Sequence, residues 1–268
     1  MLKDITLGQY FPGDTVVHRL DPRTKILLTV VYIAALFTAN TWGGYILTLA
    51  VLLAVTALAR IPLKALFRGL RPLVFIIVFT AILNLFFTAG DDYIFRWHFL
   101  KMTWTGLHNA ATMVLRVMLL VAGTFLLTYT TSPLAITDGL EMLLSPLKKI
   151  GVPVYELSLM MSIALRFIPT LIEETDRIMS AQKARGADLE TGSLVQRAKA
   201  LLPLLIPLFV SAFRRADELA TAMECRCYNG GQGRTRMKVL KMAARDLWAF
   251  VLAALFMGTV IALRRIGL

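Results

Sequence analysis

Histidine and cysteine are scarce, with three His and two Cys in 268 residues. The cysteines, Cys225 and Cys227, stand two apart. On a helix that spacing sends their side chains to different faces, which argues against a disulfide between them. No nearby histidine completes a zinc set with them, and His18, His98 and His108 are too far apart in sequence to form an evident ligand group. The glycine-rich loop ending in Lys-Ser/Thr that cradles nucleotide phosphates is missing, which argues against nucleotide hydrolysis by the chain itself. Acidic residues are also few, 17 against 29 Lys and Arg, for a formal charge of +12. Such a balance suits either nucleic acid or a membrane surface. The basic residues are scattered between apolar stretches rather than gathered on one soluble face, which argues against nucleic acid. The first twenty residues carry Asp4, Pro12 and Asp14 and no apolar core, so no cleavable signal peptide is expected.

Apolar residues are abundant. They make up 57% of the chain, with a mean hydropathy of +0.67, where soluble domains run nearer about 45–50%. A bilayer crossing needs about 20 apolar residues, with a range near 17–25. Five stretches fit or nearly fit, at about 24–39, 44–59, 72–89, 106–129 and 247–263. Asp21 and Pro22 predict the N-cap and first residue of the first helix, because proline lacks the N–H that would be unpaired there. Lys and Arg concentrate before the first span, between the second and third (Arg60, Lys64, Arg68, Arg71), and before the last (Arg234, Arg236, Lys238, Lys241, Arg245). The positive-inside rule then predicts a cytoplasmic N-terminus and an external C-terminus, with Trp42, Trp97 and Trp104 at the outer interface.

Residues 131–245 differ from the rest. They are rich in Leu, Met and Ile but also carry most of the acidic residues. Leu157, Met160, Met161, Ala164, Leu165, Ile168, Leu171 and Ile172 step by three and four, as one face of a helix does. Glu173, Glu174, Asp176 and Arg177 follow at once, so the pattern predicts an amphipathic helix packing on a partner or lying at the interface. Three helices fit. One starts at Ser132–Pro133 and fades near Pro146. One runs from Pro153 to Gly186. One starts at Ser193, where Ser193-Leu194-Val195-Gln196 has the capping-box form, and ends near Tyr228. Pro203 and Pro207 inside the third predict a kink or carbonyls left free for a neighbour. The expected fold is all-α and polytopic, with about five transmembrane helices and a cytoplasmic module of three amphipathic helices, which the family resemblance given below makes coupling helices. Its segments are an N-terminal membrane domain (1–130), the module (131–245) and a C-terminal transmembrane helix (246–268).

Two arginine triplets end the second and third module helices, Ala184-Arg185-Gly186 and Cys225-Arg226-Cys227. A cation at a helix C-terminus is favoured by the helix dipole alone, by about 0.3–1 kcal/mol. Beyond that, small neighbours leave room for a partner to approach, and a guanidinium offers carboxylates a planar fork that an ammonium cannot. With Pro12-Gly13-Asp14, the run from His18 to Lys25, Gly139-Leu140-Glu141, Pro146-Leu147-Lys148, the run Ala216–Ala220, Ala222-Met223-Glu224 and Gly233-Arg234-Thr235, the chain resembles, nearly end to end, the transmembrane coupling subunit of energy-coupling factor transporters, ABC-related importers of vitamins and metal ions. The second triplet reads Cys-Arg-Cys where that family often has Ala-Arg-Gly.

The resemblance implies a non-catalytic subunit with no cofactor of its own, ATP being bound by partner proteins. It implies a multi-pass protein of a prokaryotic plasma membrane, with its N-terminus and module cytoplasmic. Ala184, Arg185 and Gly186 would hold one of two ABC-type ATPase subunits, and Cys225, Arg226 and Cys227 the other. The apolar faces bearing Met160, Met161, Leu204 and Leu208 would carry a small substrate-binding membrane subunit, and the lipid bilayer would surround the rest. An alternative is a membrane-embedded enzyme acting on a lipid substrate through Asp91, Asp92 and Arg116. It lacks a second acidic cluster at membrane depth, and Arg116 reads more simply as a mid-span hydrogen-bond donor to a neighbouring helix. A self-sufficient permease would need paired, broken half-helices around a midplane site, which the spans do not display.

Overall fold

The computed structural model describes residues 10–87, 93–97, 100–187, 194–230 and 240–266. In chain order the elements are α1 (Pro22–Thr38), α2 (Trp42–Ala59), α3 (Leu63–Leu70), α4 (Val74–Phe87), β1 (Tyr93–Trp97), β2 (Leu100–Thr103), α5 (Trp104–Thr130), α6 (Pro133–Leu144), α7 (Val154–Ala184), α8 (Leu194–Glu224) and α9 (Ala244–Ile266). Three-residue and six-residue 3-10 segments, Arg71–Leu73 and Ser145–Ile150, lead into α4 and out of α6. The described residues are organised as helices, as expected, with one antiparallel hairpin of β1 and β2. That hairpin replaces what reads as an external loop. Tyr93-Ile94-Phe95-Arg96-Trp97 is rich in the aromatic and β-branched residues that favour extended chain.

Among the described residues, five helical stretches are long and apolar enough to cross a membrane: Trp42–Ala59, Leu63–Phe86, Trp104–Thr130, Val154–Ala184 and Ala244–Ile266. Four of these, all but Val154–Ala184, coincide with expected spans. The remaining expected span is α1, whose 17 residues reach roughly 25 Å at 1.5 Å per residue, at the short end of the range for a crossing. α7 joins them by length and composition, because its charged residues gather in the later half and leave an apolar window behind. Pro72 bends the third stretch, so that α3, a 3-10 turn and α4 form one kinked crossing.

The chain divides into two compact units, one of residues 8–142 with 239–268, the other of residues 143–238. In the first, α1 lies against α9, α5 and α2, and α4 against α5. Its core gathers Ala35, Leu36, Tyr45, Leu119, Tyr129, Phe256 and Val260. Helices approach closely where one side is small. A Cβ on Gly123 would collide with the Tyr32 ring, and one on Gly69 would stand 2.6 Å from the Phe125 ring. Small residues serve this purpose in membranes, where no hydrophobic force drives helices together. Outward-facing Phe75, Ile46 and Leu255 are 79%, 63% and 64% exposed. That exposure is costly in water but not in a bilayer whose tails are as apolar as the side chains.

Charged and polar groups close one end of this unit. Asp21 caps α1, accepting from Arg23 N at 3.0 Å, with Pro22 at the first helical position. Asp246 Oδ1 accepts from Asp21 N at 2.9 Å, and its Oδ2 accepts from Ala243 N at 2.8 Å. Lys25 Nζ donates to Thr130 O at 2.8 Å, at the C-terminus of α5, and to His18 O at 3.1 Å. Arg23 Nη2 donates to Leu240 O at 3.0 Å. Asp21, Lys25 and Asp246 are all buried. The run from Asp21 to Lys25 thus joins the ends of α1, α5 and α9.

Replacing Asp246 by Ala removes two charge-assisted hydrogen bonds and should lower the unfolding free energy by about 3 kcal/mol or more. Asp246→Asn keeps one acceptor oxygen and should lose less. Thermal unfolding of the full chain in mild detergent compares the three proteins. Equal midpoints would remove the carboxylate from this account.

Candidate functional site

The two arginine triplets lie in the second unit, where α7 and α8 pack on each other. Each of these helices has 31 residues. Arg215 on α8 pairs with Glu174 on α7 at 3.1 Å. Nearer the end of α7, Gln182 Nε2 donates to Pro203 O on α8 at 3.4 Å. The second contact has a cause in the sequence. Pro207 lacks an N–H, so the carbonyl four residues earlier, that of Pro203, has no partner within the helix, and Gln182 supplies one. Moving from Glu174 to Gln182 along α7 means moving backward from Arg215 to Pro203 along α8, so the pair is antiparallel. Arg185 therefore sits near the start of α8, whereas Arg226 lies roughly 35 Å further along that helix, at 1.5 Å per residue. The triplets occupy opposite ends of the pair.

Their backbones close with the same two hydrogen bonds. At the end of α7, Gly186 N donates to Lys183 O at 3.0 Å and Ala187 N to Gln182 O at 3.0 Å. At the end of α8, Cys227 N donates to Glu224 O at 2.8 Å and Tyr228 N to Met223 O at 3.0 Å. Both are Schellman caps, closed by a residue in the left-handed region. Gly186 takes it at φ 83° and Cys227 at φ 54°. Only glycine does so without steric cost, yet the cysteine holds the same turn. Arg185 and Arg226 occupy the same place in their caps, and both are exposed. Among the described residues neither guanidinium has a hydrogen bond or ion pair. Ala184, Gly186, Cys225 and Cys227 are exposed beside them.

The other residues singled out in the sequence fall out as follows. Met160 and Met161 are 57% and 54% exposed on α7. Leu208 is half-buried, and Leu204 is buried at 7%, so Leu204 offers no free surface in this chain. The exposed apolar face of α8 runs instead through Leu202, Leu205, Ile206, Phe209 and Phe213. Ser132 caps α6, accepting from Ala135 N at 3.3 Å. Ser193 and the Asp91–Asp92 pair lie outside the described residues. Gln182 was not legible as a functional residue, although the four-residue spacing of Pro203 and Pro207 was the signal that some donor must meet that carbonyl.

Arg116 on α5 is satisfied by neighbours. Its Nε donates to Tyr45 Oη at 3.0 Å, and its Nη2 donates to Asn40 Oδ1 at 3.3 Å and Ala39 O at 3.4 Å. These partners sit at the end of α1 and the start of α2. Arg116 is therefore level with the α1–α2 connection rather than mid-span, because α5 is far longer than α1. It borders a polar cavity of about 380 Å³ with Asn84, His108, Asn109 and Thr112. This is the fixed donor expected of a structural arginine.

The pattern of the cobalt transport protein family (CbiQ) matches residues 13–238. Proteins named energy-coupling factor transporter transmembrane protein EcfT match almost the whole chain. That of Thermosediminibacter oceani is 56% identical over 254 residues, covering 95% of this chain and 96% of its own length. That of Clostridium kluyveri is 54% identical over 254 residues, covering 94% of each. That of Lactococcus lactis subsp. cremoris is 47% identical over 245 residues, covering 91% and 92%. The chain belongs to this family of energy-coupling factor transporter T subunits. It is a multi-pass membrane protein and a non-catalytic component of a transporter, and the lipid-enzyme alternative is not favoured.

Relief of the left-handed cysteine can be measured. Cys227→Gly should stabilise the second cap by about 1 kcal/mol, and Gly186→Ala should destabilise the first by a similar amount. Amide hydrogen exchange at positions 186–187 and 227–228 should slow in the first variant and quicken in the second, each by about fivefold. Unchanged exchange in both would mean that the caps do not limit opening there.

Proposed function

We propose that the chain couples two ABC-type ATPase subunits to a small substrate-binding membrane subunit, for uptake of vitamins or other micronutrients. The observation that carries this reading is the pair of matched caps. Each presents an exposed arginine that has no partner among the described residues, at opposite ends of one antiparallel helix pair. A lone helix-ending arginine has a sufficient cause in the dipole. Two that share both Schellman hydrogen bonds, at the cost of a left-handed cysteine, point to a repeated docking element. Their separation suits two partners of the same kind, one on each tip, with carboxylates to meet each planar fork.

In this mechanism the ATPases bind and hydrolyse ATP, and this chain needs no cofactor. Their closure pulls on the pair at its Arg185 and Arg226 ends and tilts it. The Glu174–Arg215 and Gln182–Pro203 contacts make α7 and α8 move as one piece rather than slide. The apolar surface of Leu202, Leu205, Ile206, Phe209 and Phe213, with Met160 and Met161, carries the small membrane subunit. Methionine suits such a face because its flexible thioether repacks against different partners. The N-terminus and the α7–α8 unit face the cytoplasm, in keeping with the basic residues flanking the spans.

Arg185→Glu and Arg226→Glu, made in the assembled transporter, should each weaken ATPase association by more than about tenfold, as loss of an interface anchor does, and the double variant should abolish uptake. Membrane insertion should be unchanged. Co-purification of the ATPases with the tagged chain and uptake by intact cells read the two effects. Wild-type uptake by the double variant would defeat the proposal.

A further inference from the structure

We infer that the groove between α3, α4 and α5 binds an anionic phospholipid. A cavity of about 500 Å³ is lined there by Phe67, Arg68, Arg71, Val74, Ile77 and Met118, among others. This lies within the roughly 300–1,000 Å³ of small-molecule sites. Its chemistry is split. Arg68 and Arg71 stand at one end, three residues apart across the junction of α3 and the 3-10 turn, so they share a face. Val74 and Ile77 continue along α4, with Met118 of α5 also lining the groove, and all are apolar. A cationic mouth that opens onto an apolar trough along a spanning helix has the polarity of a phospholipid, with phosphate at the arginines and acyl chain along the trough.

Three further observations favour this occupant. First, Arg68 and Arg71 are both exposed, and among the described residues neither has a hydrogen bond or ion pair. Two guanidiniums on one face without a carboxylate call for an anion, and the planar fork fits phosphate oxygens in bidentate fashion. Second, the platform is fixed. Leu66, Gly69 and Leu70 form the buried side of α3, a Cβ on Gly69 would collide with Phe125, and Tyr129 Oη donates to Ala65 O at 3.1 Å. Leu70 also lines the groove, so this fixed side holds Phe67, Arg68 and Arg71 around it. Third, Arg60 and Lys64 add charge at the same end of the crossing and are exposed. A zwitterionic lipid would bring an ammonium into this field, whereas an anionic one would not. The inference rests on the membrane crossing of Leu63–Phe86 and not on how the ATPases dock.

The test uses the full chain in mild detergent, titrated with equal amounts of phosphatidylglycerol and phosphatidylcholine and read by native mass spectrometry. Wild-type protein should retain phosphatidylglycerol about tenfold over phosphatidylcholine, as two interfacial arginines predict. The Arg68→Gln/Arg71→Gln protein should lose that preference, and Arg60→Gln/Lys64→Gln, which removes only charge outside the groove lining, should reduce it less. Arg68→Lys/Arg71→Lys, which retains the charge, keeps the test informative if the Gln variant does not fold, and should weaken but not erase the preference. Inorganic phosphate at equal concentration should not displace the lipid, because it lacks the chain that fills the trough. Equal retention of both lipids by the wild type, an unchanged preference in the Arg68→Gln/Arg71→Gln protein, or full displacement by phosphate would each overturn the proposal.

Discussion

The membrane unit depends on buried charge being neutralised at one end of the bundle. Asp246 holds the backbone N–H groups of Asp21 and Ala243, while Lys25 holds the carbonyls of Thr130 and His18. Each ion satisfies orphan groups at a helix or turn terminus, which are costly to leave unpaired away from water. The arrangement is reciprocal, because the carboxylates lie close enough to stabilise the ammonium they do not touch. Remove one acid and a buried cation loses compensation, and the loss of such a partner costs far more than the pair contributes in net stability. This explains why a stretch so rich in charge, Asp21 to Lys25, opens the first helix of a hydrophobic protein.

The rest of the unit is held by shape more than by hydrophobic force. Lipid tails solvate leucine as well as another leucine does, so helices in a bilayer associate through close packing and hydrogen bonds. Gly123 against Tyr32 and Gly69 against Phe125 bring backbones near. Tyr32 donates to Leu119 O at 3.0 Å and Tyr129 to Ala65 O at 3.1 Å, each crossing from one helix to another. Thr48 and Thr56 satisfy their hydroxyls on their own helix, at Gly44 O and Leu52 O, and so can be buried without a partner elsewhere.

Features with a local cause were legible in the sequence. Asp21-Pro22 announced the start of α1, Ser132-Pro133 that of α6, and Gly186 the end of α7, because each depends on neighbours within one turn. The arginine triplets were visible for the same reason. What could not be read depends on tertiary context or on small differences in length. Four of the expected spans are plain because their apolar runs are long, whereas α7 is apolar enough to cross only because its charges cluster late in the helix. Arg116 sits in the middle of its own helix in sequence, yet level with a loop in space, because neighbouring helices differ in length. The hairpin at Tyr93–Thr103 and the burial of Leu204 likewise follow from what lies across the chain, not along it.

The two caps carry the argument from structure to coupling furthest. Gly186 and Cys227 differ in everything that local propensity measures, yet both close their helix with the same pair of hydrogen bonds. Propensity favours glycine here by roughly 1–2 kcal/mol, so the second cap holds its form against its own sequence. A left-handed cysteine persists only when its surroundings demand it. On the proposed coupling role, the demand is to present Arg226 as Arg185 is presented, at the far end of a pair fastened by Glu174–Arg215 and Gln182–Pro203. A capped tip on such a pair would pass on a displacement applied there, whereas a free helix end would absorb it by fraying.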